Sequence, residues 1–314
     1  MKTDAESIKE YFSGYLDVVE DNGYSYLYRF GKKQREFYEN EGGYFGTQSR
    51  YSAGIKLSAR KCTAVSFEMN CKSSDKKLFS VGVIHGGTEE NYMFGRGESR
   101  IELTFADEDV TVYFPYDTEI GVKNIKIGGA SGKTGKNILS FGDSITQGYM
   151  LTESAAAYPS ELGRRFGADV YNFGIGGYFI RGGILNELNH LPRPQMITFA
   201  YGTNDWHFEN DYTKDLPGIF SRLHEKYHDI PIFVILPIAR RSEKTETTKF
   251  GTLEQVREKI AAEAKKYDNF YVLSCGSKID TDNDLCADGI HPNNCGMRKL
   301  GKYLTDEIAD LNLD

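Results

Sequence analysis

Two short segments of this 314-residue chain hold a serine, an aspartate and a histidine. Gly142-Asp143-Ser144-Ile145-Thr146-Gln147-Gly148 directly follows the apolar run from Asn137 to Phe141. Asp288-Gly289-Ile290-His291-Pro292-Asn293 lies near the far end. A serine hydroxyl is a weak nucleophile at its own pKa, so it needs a base within hydrogen-bond reach. That base needs a third group to fix its tautomer. The Asp288/His291 spacing puts carboxylate and imidazole on one short turn, leaving the second ring nitrogen for the serine. Ser144, His291 and Asp288 therefore read as nucleophile, general base and orienting carboxylate of a serine hydrolase.

Acyl transfer also needs hydrogen-bond donors aimed at the developing oxyanion. Two segments can supply them. Asn172-Phe173-Gly174-Ile175-Gly176-Gly177 follows one short strand pattern, and Tyr201-Gly202-Thr203-Asn204-Asp205 follows another, Met196 to Ala200. A glycine turn presents backbone N–H groups, and an asparagine at a strand end presents an amide.

These four segments resemble, in order, the conserved blocks of the SGNH (GDSL-type) hydrolase family: G-D-S, a glycine turn, G-x-N-D and D-x-x-H. The resemblance covers about Asn137 to Asp314. It implies Ser144, Asp288 and His291 as the triad. It also implies an oxyanion hole made of the Ser144 N–H, a glycine N–H and the Asn204 side chain. The donor glycine aligns with Gly177, and Gly176 is its neighbouring competitor. Asp143 and Asp205 read as structural carboxylates, Asp205 holding the Asn204 loop. Tyr201, Trp206 and His207 flank the site. Trp206, the only tryptophan, reads either as a core residue or as a sugar-stacking wall, with the wall slightly favoured, and Tyr201 and Gly176 read as further substrate contacts.

The elements that must position these residues follow from periodicity. From Asn137 onward, strand candidates Ile138–Phe141, Val170–Phe173, Ile197–Tyr201, Ile232–Leu236 and Phe270–Ser274 alternate with helical stripes. Those stripes are Tyr158/Leu162/Phe166, Leu216/Phe220/Leu223/Tyr227, Leu253/Val256/Ile260/Ala264 and Leu300/Leu304/Ile308/Leu311. The pattern predicts an α/β domain, a three-layer flavodoxin-like fold with a parallel sheet, over 136–314. In such a sheet, ligands sit beyond the carboxyl ends of the strands, where Ser144, Gly177 and Asn204 all fall. Earlier, Val65–Met69 and Ile101–Phe105 alternate apolar and polar residues, and Val110–Phe114 and Val122–Ile127 follow. That predicts an N-terminal β-sandwich, jelly-roll-like, over 1–130. Gly128 to Gly135 reads as the linker.

Several decoys fail. Gly128-Gly129-Ala130-Ser131-Gly132-Lys133-Thr134 mimics a phosphate loop, but its spacing is one residue short and Ile127 stands where a glycine is required. Asp280 to Asp284 starts like a calcium loop, yet Leu285 and His291 stand where Gly and Glu are needed. Gly174-Ile175-Gly176-Gly177-Tyr178-Phe179 ends in Phe where a dinucleotide fingerprint needs a small residue.

Bulk properties narrow the remaining choices. With 38 Lys and Arg against 45 Asp and Glu, the formal charge is −7. That argues against nucleic acid as a partner. No long apolar run predicts a membrane span. The start, Met1 to Glu6, lacks an apolar signal core, so a cytoplasmic location is expected. Five cysteines without a framework suit reduced thiols, and Cys286 and Cys295 read as packing residues. No metal or organic cofactor is expected. A strand-rich domain ahead of an SGNH domain is similar to two-domain carbohydrate acetylesterases. That implies removal of acetyl groups from O-acetylated oligosaccharides or other small esters. The competing readings are a lipase-like or thioesterase-like SGNH hydrolase and a non-catalytic carbohydrate-binding protein.

Overall fold

The computed structural model describes residues 2–313. The chain divides into two compact units. One comprises residues up to Gly135 with Thr152–Ala155 and Gly167–Asn172. The other comprises Lys136–Leu151, Ala156–Phe166 and the chain from Phe173.

Four strands of a parallel five-stranded sheet, in a three-layer arrangement, lie within the second unit, and the fifth, Asp169–Gly174, enters it at Phe173. Its strand order is Asp169–Gly174, Asn137–Gly142, Met196–Ala200, Ile232–Ile235, Phe270–Leu273. Apolar residues fill the inner strands: Ile138, Leu139, Ile197, Phe199, Ile232 and Val234 are all buried, as a sheet covered on both faces requires. The helices cover it in pairs. Tyr158–Arg165 packs on Asn294–Asp310, and Leu216–Lys226 on Leu253–Ala264. Caps set where the helices begin. Thr252 and Gln255 form a reciprocal capping box ahead of Leu253, and the Asn293 side chain accepts from the Gly296 N–H at 3.0 Å. In sheet order the second strand in sequence lies outside the first, and the third lies on its other side. The topological switch point therefore falls between Asn137–Gly142 and Met196–Ala200. Ser144 and Asn204 each follow one of these two strands.

The first unit is antiparallel and has its own core. Its alternating segments lie in longer strands than the sequence suggested: Val65–Met69 is part of Lys56–Ser74, and Ile101–Phe105 joins Val110–Phe114 within Gly97–Tyr113. Val65, Phe67 and Met69 are buried with Val81, Val112 and Val122 in that core. Among the described residues its nine strands belong to one hydrogen-bonded sheet, with Lys56–Ser74 pairing with four others. Register shifts near Cys62 interrupt its ladder, and such bulges bend a strand. Three helices in this unit were not expected: Asp4–Tyr11, Lys32–Glu41 and Gly43–Arg50. The expected linker is also an ordered edge. Ala130–Ser131 pairs with Ala59 and Arg60, and the Gly132 N–H donates to Ser58 O at 2.9 Å. A Cβ at Gly132 would sit 2.9 Å from the Ser58 carbonyl carbon, so this close approach needs glycine.

One buried carboxylate ties the loop after the glycine turn to the short helix Thr203–His207. Asp205 accepts from the Ile180 N–H at 3.1 and 3.3 Å and from Asn210 Nδ2 at 2.7 Å. Burial raises its pKa to about 7, outweighing these hydrogen bonds, which lower it. An unfolded Asp titrates at about 4. Between pH 4 and 7 the folded chain therefore holds a proton that the unfolded chain has lost, and this group's contribution to stability falls as pH rises. Buried Asp143 and Asp117, each raised to about 6, act with the same sign. Urea midpoints measured from pH 4 to 7 should fall less steeply in Asp205→Asn than in the wild type. Equal slopes would show that Asp205 ionises normally in the fold.

Candidate active site

The turn that carries Ser144 is shaped by its neighbours. After the strand Asn137–Gly142, Asp143 is extended (φ −95°, ψ −150°) and caps the four-residue helix Ser144–Gln147, its side chain accepting from the Ile145 N–H at 3.0 Å. The turn leaves no room for side chains at two glycines. A Cβ at Gly142 would lie 1.9 Å from Thr146 Oγ1, and one at Gly174 would lie 2.3 Å from the Gln147 nitrogen. Asp143 is wholly buried, and desolvation raises its pKa to about 6 against the hydrogen bond from Ile145. Its position at the cap agrees with the structural reading of this residue.

Ser144 Oγ lies 2.7 Å from His291 Nε2, and His291 Nδ1 lies 2.6 Å from Asp288 Oδ2. The three groups form a continuous hydrogen-bonded chain. Because the carboxylate can only accept, Nδ1 carries the proton of a neutral imidazole and Nε2 is left to accept from the serine hydroxyl. The other Asp288 oxygen accepts from the N–H groups of Ile290 (2.9 Å) and His291 (3.1 Å). Partial burial alone would raise the Asp288 pKa. The hydrogen bonds from the His291 side chain and these two N–H groups outweigh it and hold the value at about 2. The loop itself is pinned by Cys286 N–H to His291 O (2.7 Å) and by Arg241 N–H to Gly289 O (2.9 Å). Gly289 has φ +68°, a conformation that favours glycine. The Tyr149 ring packs 5.0 Å from the imidazole.

Three N–H donors remain uncommitted near this chain. Neither the Ser144 nor the Gly177 backbone N–H has a hydrogen-bond acceptor among the described residues. Asn204 Nδ2 gives one hydrogen to Tyr178 O at 3.0 Å, and its second hydrogen has no partner. Gly176, the competitor for Gly177, differs: its N–H donates to Gln147 Oε1 at 2.7 Å. Gly177 sits in the left-handed region at φ +73°. Gln147 lies one turn beyond Ser144 and so couples the Ser144–Gln147 helix to the glycine turn. Sequence reading missed it, because the partner that gives it meaning is 29 residues away.

Three expected substrate contacts are corrected. Trp206 is 0 % exposed, with its indole N–H donating to Gly251 O at 2.9 Å and the Arg240 guanidinium over its ring. It is a core residue and offers no stacking face. Tyr201 is 2 % exposed, packed against Phe199 at 5.0 Å. Gly176 is buried with its N–H engaged. Cys295, expected to pack, is exposed, because it lies on the outer side of the helix Asn294–Asp310. The Asp280–Asp284 loop is internally bonded: Asp284 is buried, accepts from the Asp280 N–H at 3.0 Å and pairs with Lys299 at 2.6 Å. Among the described residues no group of three or more His, Cys, Asp or Glu side chains could hold a metal ion, and no helix is long and apolar enough to cross a membrane.

Known proteins place this architecture. The fold is similar to that of a salicylyl-acyltransferase, SsfX3, from a tetracycline biosynthetic pathway (TM-score 0.80, 14% identity, 96% of this chain and 94% of that one). It is also similar to a family two carbohydrate esterase from Clostridium thermocellum (TM-score 0.62, 16% identity, 82% and 91%). A third similar structure is an acetyl xylan esterase from the rumen bacterium Butyrivibrio proteoclasticus (TM-score 0.62, 11% identity, 98% and 97%). No curated protein matches the sequence. The model of the GDSL-like Lipase/Acylhydrolase family matches residues 140–299, more than half of the chain and a span that holds Ser144, Gly177, Asn204, Asp288 and His291. The chain belongs to the GDSL-like lipase/acylhydrolase family.

Proposed function

We propose that the protein is a serine esterase that removes acetyl or other short acyl groups from O-acetylated carbohydrates through an acyl-enzyme. The observation that carries the reading is the Asp288–His291–Ser144 hydrogen-bonded chain beside three uncommitted N–H donors. His291 Nε2 takes the hydroxyl proton as Ser144 Oγ attacks the ester carbonyl. Negative charge develops on the carbonyl oxygen, and the N–H groups of Ser144, Gly177 and Asn204 receive it. His291 then gives its proton to the leaving alcohol. In the second half it takes a proton from water, which attacks the acyl-enzyme and releases the acid and free Ser144. Asp288 keeps the imidazole in the required tautomer and stabilises its charged form.

The choice of a carbohydrate ester draws support from the architecture. Similar structures of nearly the same extent, strand-rich unit included, are a carbohydrate esterase and an acetyl xylan esterase. On this reading residues 1–130 form an accessory domain and 136–314 the catalytic one.

Two outcomes are expected. Acetate release from acetylated xylo- and manno-oligosaccharides should depend on Ser144 and vanish in Ser144→Ala. On nitrophenyl esters, acetyl should be preferred over octanoyl. An octanoyl preference with no release from any sugar would replace this reading with a lipase-like one. Separately, replacing Gln147 by Leu leaves the buried Gly176 N–H without its acceptor. A lost partner of this kind costs about 1–3 kcal/mol of folding stability, and a displaced Gly177 N–H would weaken oxyanion stabilisation, so kcat should fall roughly tenfold with KM little changed. Unaltered steady-state kinetics would mean that the glycine turn holds itself.

A further inference from the structure

Large apolar side chains are normally withdrawn from water, yet Phe208 is 60 % exposed. It follows the helix Thr203–His207, and its N–H donates to Asn204 O at 2.8 Å. One turn therefore separates it from the asparagine whose side chain bonds Tyr178 O. Phe179 is the next residue after Tyr178 and stands two beyond Gly177. The two rings meet edge to face, with centroids 6.0 Å apart. Each of the two donor segments thus carries one phenyl ring, and the rings join beside the donors.

The polar rim of this pair has a defined hydrogen-bonding state. The exposed His207 ring packs 4.7 Å from Phe208, and its Nδ1 faces Arg240 Nη2 at 3.4 Å. A guanidinium only donates, so Nδ1 accepts, and in the neutral imidazole the proton sits on Nε2. Burial and the Arg240 charge keep His207 below its ordinary pKa, which favours that neutral form. Nε2–H has no partner among the described residues. The Arg181 guanidinium lies over the other ring, 5.3 Å from the Phe179 centroid. Apolar faces beside a few fixed polar groups suit a ligand that is itself apolar on one face and hydroxylated at its edge.

We propose that Phe179, Phe208 and His207 form a subsite for the sugar ring on the alcohol side of the ester, the phenyl rings taking an apolar face of the sugar and His207 Nε2–H a ring hydroxyl. The inference rests on the carbohydrate reading above. An acetyl group has no ring face for the phenyls to stack on, so the sugar on the alcohol side is the part of the ester that would use this surface. Trp206, the aromatic residue expected for this task, is buried one turn away from solvent, and the exposed ring beside it takes its place.

The test compares Phe208→Ala and Phe208→Tyr with wild type on acetylated xylo-oligosaccharides and on ethyl acetate, which has no ring to stack. A contact made equally in ground and transition state acts on KM. In Phe208→Ala, KM for the sugar ester should rise about tenfold relative to KM for ethyl acetate, and Phe208→Tyr should restore most of the difference. A parallel change on both esters, or no change on either, would overturn the subsite. The two readings fail separately. Wild-type hydrolysis of ethyl acetate with none of any sugar acetate would overturn the carbohydrate reading and the subsite with it. Sugar hydrolysis unaffected by Phe208→Ala would overturn the subsite alone.

Discussion

The site depends on holding a hydroxyl and an imidazole, 147 residues apart in the chain, at 2.7 Å. Neither group reaches that geometry by local preference. Ser144 is fixed from beneath by the strand Asn137–Gly142 and by two glycines that let the turn press against Ala200 O and the Gln147 backbone. His291 is fixed by a loop whose carbonyls and N–H groups are tied to Cys286 and Arg241. The parallel sheet supplies the common reference for both. Its order puts the switch point between the strands that lead to Ser144 and Asn204, so these two residues emerge on the same rim.

Electrostatics divides three carboxylates into two kinds. Asp288 is half open to solvent and accepts from a side chain and two backbone N–H groups, which keep it ionised down to about pH 2. Asp143 and Asp205 are buried more deeply than their hydrogen bonds can compensate, and their pKa values rise to about 6 and 7. The first is hydrogen-bonded to an imidazole. The other two hold backbone: one caps the helix that starts at Ser144, and one binds the Ile180 N–H. Similar side chains in adjacent motifs therefore do different work, decided by desolvation and by the partners each can reach.

Much of this was legible in the sequence because the chemistry lies in short blocks. Ser144 and the Asp288/His291 turn announce themselves by residue type and spacing, and the later α/β pattern follows from apolar stripes such as Leu253, Val256 and Ile260. What escaped depends on neighbours distant in sequence. Trp206 looks like a binding-site aromatic until Gly251 and Arg240 are seen to enclose it. Gln147 looks like any polar residue until the Gly176 N–H arrives from the next block. The helices Lys32–Glu41 and Gly43–Arg50 lack an apolar stripe wide enough to mark them, since few of their residues are buried. The glycine-rich segment Gly128–Gly135 carries the composition of a linker, and only the pairing of Ala130–Ser131 with Ala59 and Arg60 reveals an edge strand.

The proposed mechanism requires Ser144 Oγ to attack an acyl carbon under the control of His291. The most direct measurement is active-site labelling with an alkyl fluorophosphonate, followed by peptide mass spectrometry on the wild type and on His291→Ala. One adduct per chain is expected, on Ser144, formed far more slowly in His291→Ala. Labelling at another residue, or equal rates with and without His291, would contradict it.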